Sequence, residues 1–139
     1  MSNFPNIERL DARSCISSKM RKCHRVVAEV FRKYLMPFDI TSSQLSILFV
    51  VAKVEGVTQS QLAAWLILEK STVSRNMKRL LSRKLIQKES NQQLQLTHGG
   101  KMLLEQIIPE WEKAMAEIKL RLKDEGETAL NILTAQLLR

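Results

Sequence analysis

Seven basic residues stand between Glu69 and Lys88 (Lys70, Arg75, Lys78, Arg79, Arg83, Lys84 and Lys88) against the single acid Glu69, a local excess of +6. Short hydroxyls are threaded among them at Ser71, Thr72, Ser74 and Ser82. These residue types bind; they do not break bonds. Guanidinium and ammonium groups meet the oxygens of a polyanion, and small side chains let a helix approach its partner closely. We read Ser71, Ser74 and Arg75 as groups for base edges, Arg75 offering its fork to the O6 and N7 of a guanine. Lys78, Arg79 and Arg83 are read as longer reaches toward flanking phosphates. Lys70, Ser71 and Thr72 fall in a helical first turn, where free N–H groups also face an anion. Gln59 and Ser60 open the preceding short helix and are placed beside backbone phosphate.

The rest of the chain offers little competing chemistry. No glycine-rich phosphate loop, paired acid and base, or nucleophile with a base beside it is present, so an enzyme is not expected. His24 and His98 stand alone and no Cys/His/Asp cluster has ligand spacing, so neither a metal nor a cofactor is expected. Cys15 and Cys23 leave two readings open. Lys19, Arg21, Lys22 and Arg25 could activate a thiol toward oxidation, or the thiols are structural, with Cys23 falling in an apolar seam. Eight residues apart on one helix, about 12 Å, the two are too far from each other for an intrachain disulfide. The run Arg21, Lys22, Arg25, Arg32 and Lys33 either lines an anionic-ligand pocket or forms a solvated face bridged to acids such as Glu105 or Glu112.

Charge is segregated along the 139 residues. The total is +8, residues 9–33 carry eight bases against Asp11 and Glu29, and outside the two basic stretches the chain is net acidic. A polyanion is the default partner. An aromatic content of 5% argues against stacking of bases on several rings. The opening "MSNFPNIERLDARS" lacks an apolar core, and the longest apolar run, "ILFVVA", is far too short to span a bilayer. A cytoplasmic protein with no membrane partner is expected.

The elements that must position the basic helix are announced by their starts. In "ITSSQL", Thr41 and Gln44 form a capping box with Ile40 and Leu45 as a hydrophobic staple; "VTQSQL" repeats the device with Thr58, Gln61, Val57 and Leu62. Gly56 suits a left-handed helix end. Helices over about 42–54 and 59–65 follow, then one from near Glu69, with Val73, Met77, Leu80 and Leu81 as a buried stripe and Ser71, Arg75, Lys78 and Ser82 opposite. "LIQKE" and "QLQLT" alternate as two strands around a tight turn at Ser90, Asn91 and Gln92. This order is a winged helix-turn-helix. At the ends, Met20, Cys23, Val27, Val30 and Tyr34 form one seam. Leu104, Ile108, Trp111, Met115, Ile118 and Leu122 form another, on a helix bent by Pro109 and followed by a further helix from about Glu127 to Leu138. Long amphipathic helices at both ends exceed what so small a lobe can cover, and a second copy is the natural cover.

The string "LAAWLILEKSTVSRNMKRLLSRKLI", followed by "LQLTHGGKMLLEQ", resembles the multiple antibiotic resistance regulator (MarR) family across nearly the whole chain. The resemblance implies a mainly α fold with a β wing of two to three strands. It places the winged helix-turn-helix lobe at 37–100 and dimerisation helices at 1–36 and 101–139. It implies a homodimer on a palindromic double-stranded DNA operator, acting as a transcriptional regulator, commonly a repressor, that a small phenolic or anionic effector or oxidation relieves. One departure stands out. The family's wing carries an arginine-rich tip, whereas this one reads "ESNQQ". Asn91, Gln92 and Gln93 can hydrogen-bond to phosphate, sugar or base edge but lack the attraction of an arginine for a narrow minor groove, with Lys88 at the hairpin foot as partial compensation. That departure also supports an alternative, a winged-helix adaptor or antirepressor that has lost strong DNA binding.

Overall fold

Local capping sets the frame. In the computed structural model, which describes residues 3–138, both capping boxes form. The Thr41 hydroxyl accepts the Gln44 N–H while the Gln44 side chain accepts the Thr41 N–H, and Thr58 and Gln61 do the same. The staples close beside them, with Ile40, Leu45, Val57 and Leu62 all buried. Six helices result: α1 (Pro5–Arg9), α2 (Ile16–Leu35), α3 (Ser42–Lys53), α4 (Gln59–Leu66), α5 (Lys70–Ser82) and α6 (His98–Leu137). Two short strands, β1 (Ile86–Lys88) and β2 (Leu94–Leu96), pair antiparallel with Ile86 opposite Leu96 and Lys88 opposite Leu94. The third strand is reduced to one bridge, Thr58 to Gln93, beside which the Leu94 N–H donates to the Val57 carbonyl at 2.8 Å.

The core gathers in the lobe. Ile47 and Leu48 of α3, Leu62 of α4, Val73, Met77 and Leu80 of α5, and Ile86 and Leu94 of the hairpin are all fully buried. Each such side chain contributes roughly 1.5–3 kcal/mol by leaving water. α6 joins this core through Leu104 and Ile107, and through Trp111, whose ring meets Phe49 edge-on at 5.4 Å. Its first turn is pressed against the end of β1's lead-in. A Cβ at Gly100 would stand 2.1 Å from the Leu85 carbonyl oxygen, so only glycine fits there.

The C-terminal segment holds two helical stretches, as its apolar spacing led one to expect. It begins at His98, capped by Thr97 accepting the Gly100 N–H at 3.0 Å, and passes through Pro109. The helical run is broken at Lys123 (φ 57°, ψ −179°), several residues before the expected start of the last helix. Along the N-terminal seam, Val27, Val30 and Tyr34 pack within the chain, while Met20 and Cys23 are left exposed, as a stripe longer than the lobe can cover would leave them. No single helix among the described residues is long and apolar enough to cross a membrane.

Candidate nucleic-acid interface

The 3.6-residue period of α5 separates its two faces. Val73, Met77 and Leu80 anchor the back, while Ser71, Arg75, Lys78, Arg79 and Ser82 are exposed and Thr72 and Ser74 half-buried. Arg75 Nη2 lies 3.4 Å from Thr72 Oγ1, one turn earlier, which holds the guanidinium along the exposed face. Among the described residues, no acid pairs with Lys70, Arg75, Lys78 or Arg79. A cleft of about 130 Å³ between α4 and α5 is lined by Gln59, Ser60, Ala63, Lys70 and Val73. It brings three predicted contact residues from two helices to one place.

Two interactions fix how α5 sits. Gln44, almost fully buried, completes its capping box and also points Nε2 toward Asn76 Oδ1 at 3.5 Å. Arg83, expected as a phosphate reach, is engaged within the chain. Its Nη1 donates to the Asp39 carbonyl at 2.6 Å and its Nη2 to the Phe38 carbonyl at 3.3 Å. Neither Asn76 nor the Arg83 contact was visible in the sequence, because main-chain carbonyls some 44 positions away carry no pattern. The helix then ends in paired capping bonds, Lys84 N–H to Leu81 O and Leu85 N–H to Leu80 O, with Lys84 in the left-handed region.

The wing sorts its polar residues differently from expectation. Asn91 Oδ1 accepts the Gln93 N–H at 3.1 Å, closing the turn, and Gln92 sits at its tip with φ 70°. Gln93 turns back toward α3: a Cβ at Gly56 would be 3.2 Å from its Nε2. Gln87 donates to Glu89 and Gln95, and Lys88 is exposed. All four predicted wing contacts, Lys88, Asn91, Gln92 and Gln93, are exposed, and among the described residues Asn91 alone of them has a side-chain hydrogen bond within the chain.

The basic run on α2 is mostly a solvated face. Arg32 pairs with Glu29 at 2.9 Å, and Lys33 pairs with Glu117 at 2.5 Å, replacing the expected Glu105 and Glu112. Tyr34 also donates to Glu117 at 2.9 Å. The hydrogen bond from Lys33, seconded by Tyr34, holds the Glu117 carboxyl below the ordinary carboxylate range, and Glu117 in turn raises Lys33. Of the run, Arg32 alone lines a cleft of about 330 Å³ between α2 and the start of α3, with Ala28, Leu35, Met36, Ile40, Thr41 and Ser42. Cys15 and Cys23 are free and exposed. No group of three metal-ligating side chains occurs among the described residues.

Residues 38–93 match the MarR family. No curated protein matches the chain in sequence. Solved structures match its fold. The Mycobacterium tuberculosis transcriptional regulator MosR is 24% identical with a TM-score of 0.75, covering 88% of this chain and 93% of that one. Bordetella bronchiseptica BpsR, whose DNA binding is regulated by 6-hydroxynicotinic acid, is 17% identical at 0.80, covering 92% and 97%. The transcriptional repressor CouR bound to p-coumaroyl-CoA is 20% identical at 0.84, covering 91% and 94%.

Proposed function

With a MarR-family winged-helix lobe as the premise, we propose that this chain is a homodimeric, sequence-specific regulator of transcription, a repressor, that inserts α5 into the major groove of a palindromic operator. The observation that carries this reading is the front of α5. Arg75, Lys78 and Ser71 face solvent on a helix whose back is locked into the core, which is the shape and charge the groove accepts. Lys70, Gln59 and Ser60 around the α4–α5 cleft are assigned to the adjoining phosphate.

The homodimer rests on uncovered apolar side chains at both ends. Ile7, Leu10 and Ile16 at one end and Leu130, Ile132, Leu137 and Leu138 at the other are exposed. Stripes of this kind on two terminal helices are covered by a second copy. The α2–α3 cleft supports relief by a small effector: mostly apolar walls with a guanidinium at one side suit a phenolic or anionic molecule. A disulfide would have to form between chains, since Cys15 caps the start of α2 and Cys23 lies two turns along it, too far away to pair.

Anisotropy titrations of selected genomic duplexes test the reading. Three to five phosphate contacts per half give a logarithmic salt slope of about −5 to −9. Arg75→Ala should cost about 1–3 kcal/mol and relax preference at one base position. The bound fragments should share half-sites about 10 bp apart. An adaptor without DNA function would show weak binding with almost no salt slope, and that result would remove the proposal.

A further inference from the structure

We infer that Arg83 is a positioning residue for DNA reading: its guanidinium clasps the α2–α3 turn and thereby sets the angle of α5, without touching nucleic acid. The inference rests on the DNA-binding reading above and assigns Arg83 a place within it. Nη1 and Nη2 reach two consecutive carbonyls, Asp39 at 2.6 Å and Phe38 at 3.3 Å. That is a use of the planar fork which a single ammonium cannot reproduce. Arg83 directly follows the last residue of α5, so its charge also sits favourably at a helix C-terminus.

The clasp matters because α5 is otherwise held by few directional contacts. Its back is apolar packing, which permits small rotations, and the Gln44–Asn76 contact at 3.5 Å is long. Beyond the last turn, Thr97 donates its hydroxyl to the Lys84 carbonyl at 2.5 Å and its N–H to the Leu85 carbonyl at 3.0 Å. The end of α5 is thus gripped by Arg83 toward the α2–α3 turn and by Thr97 toward α6. Asp39, the residue gripped, is itself in the left-handed region (φ 51°) and immediately precedes Ile40 of the staple. To meet a phosphate, Arg83 would have to release both carbonyls, whereas Lys78 and Arg79 are exposed and, among the described residues, paired with no acid.

The test compares Arg83→Gln and Arg83→Lys with wild type on one operator duplex over a salt series, with Lys78→Gln as reference. If Arg83 clasps, both Arg83 variants bind on the order of 3- to 10-fold more weakly, because lysine keeps the charge but cannot span two carbonyls. Their salt slopes stay at the wild-type value. Lys78→Gln instead makes the slope shallower by about 0.9 per protomer. In the free protein, amide exchange at 38–41 speeds up in both Arg83 variants, an effect that a phosphate contact would not produce. Arg83→Lys binding like wild type while Arg83→Gln loses slope would make Arg83 a phosphate contact and overturn the inference. So would unchanged affinity in both. A wild-type protein that binds no duplex removes the lobe's function before any variant is compared, and the positioning role falls with it.

Discussion

Leu48, Val57 and Leu80 in the lobe have no solvent exposure, whereas Ile16 is 72% exposed and Leu138 60% exposed at the two ends. Both regions are made of similar residues at helical spacing, yet only one finds its cover within the chain. The lobe closes because α3, α4, α5, the hairpin and the first turns of α6 surround a common centre. The end segments run past it. Apolar area that stays in water contributes nothing to folding and favours association. On the homodimer proposed above, the lobe draws its stability from the single chain and the ends draw theirs from a second copy.

The largest expected effect breaks that contrast at the ends. Leu133→Asp combined with Leu137→Asp places two carboxylates on an exposed apolar stripe of the 124–137 segment. Sedimentation should show a monomer, and operator affinity should fall on the order of 100-fold or more, because the second half-site is no longer tethered. The lobe should remain folded, with wild-type far-ultraviolet circular dichroism. Leu48→Ala is the opposite case, a loss of about 2–5 kcal/mol from the lobe itself that does not depend on protein concentration. A Leu133/Leu137 double variant that still sediments as a dimer would move the interface elsewhere.

A smaller effect sharpens the boundary between the regions, where α2 meets α6. Glu117 there receives Lys33 and Tyr34 through one oxygen, while its Oε2 is buried without a hydrogen bond and lies 3.6 Å from Arg121. Its folded pKa is depressed, so its contribution to stability is present above the unfolded carboxylate pKa and is lost as pH falls through the lower folded value. Lys33 is raised, so its share is present at neutral pH and lost only as strongly alkaline pH passes the raised value. Thermal melts should therefore show wild type losing stability in the acid range more steeply than Glu117→Gln, with little difference in shape between neutral and mildly alkaline pH. Parallel curves at acid pH would mean that Glu117 is not linked to folding.

What could be read from the sequence followed a physical divide. Helix starts were legible because Thr41 with Gln44 and Thr58 with Gln61 satisfy orphan N–H groups through side chains of distinctive type. The buried stripe of α5 was legible because Val73, Met77 and Leu80 repeat at helical spacing. The family resemblance rested on the same stretch, and it matches over residues 38–93. Contacts made to main chain were not legible, which is why the bonds from Arg83 to the Phe38 and Asp39 carbonyls could not be foreseen. The break between the last two helical stretches was legible to within a few residues, because the apolar seam ends at Leu122, but its placement at Lys123 was not, since lysine does not mark a positive φ.

Helix ends make the same point with a measurable consequence. Gly56 (φ 75°) was foreseen as a left-handed residue after α3, although the helix itself closes at an extended Val54 and Gly56 lies in the turn beyond it. α4 and α5, by contrast, are closed directly by residues in the left-handed region, Ile67 (φ 51°) and Lys84 (φ 57°). An L-residue with a Cβ meets its following carbonyl there at a cost of roughly 1–2 kcal/mol, and β-branching at Ile67 adds crowding. Ile67 is 70% exposed, so its side chain returns little by packing. Glycine relieves the strain but also frees the unfolded chain, which offsets part of the gain. We expect Ile67→Gly to raise stability by about 0.5–1 kcal/mol and Lys84→Gly by less, each read from urea midpoints at constant m-value. Because both turns lie inside the self-sufficient lobe, the gain should appear equally in the Leu133/Leu137 double variant. A gain confined to the dimer would mean that the lobe and the ends share their stability after all.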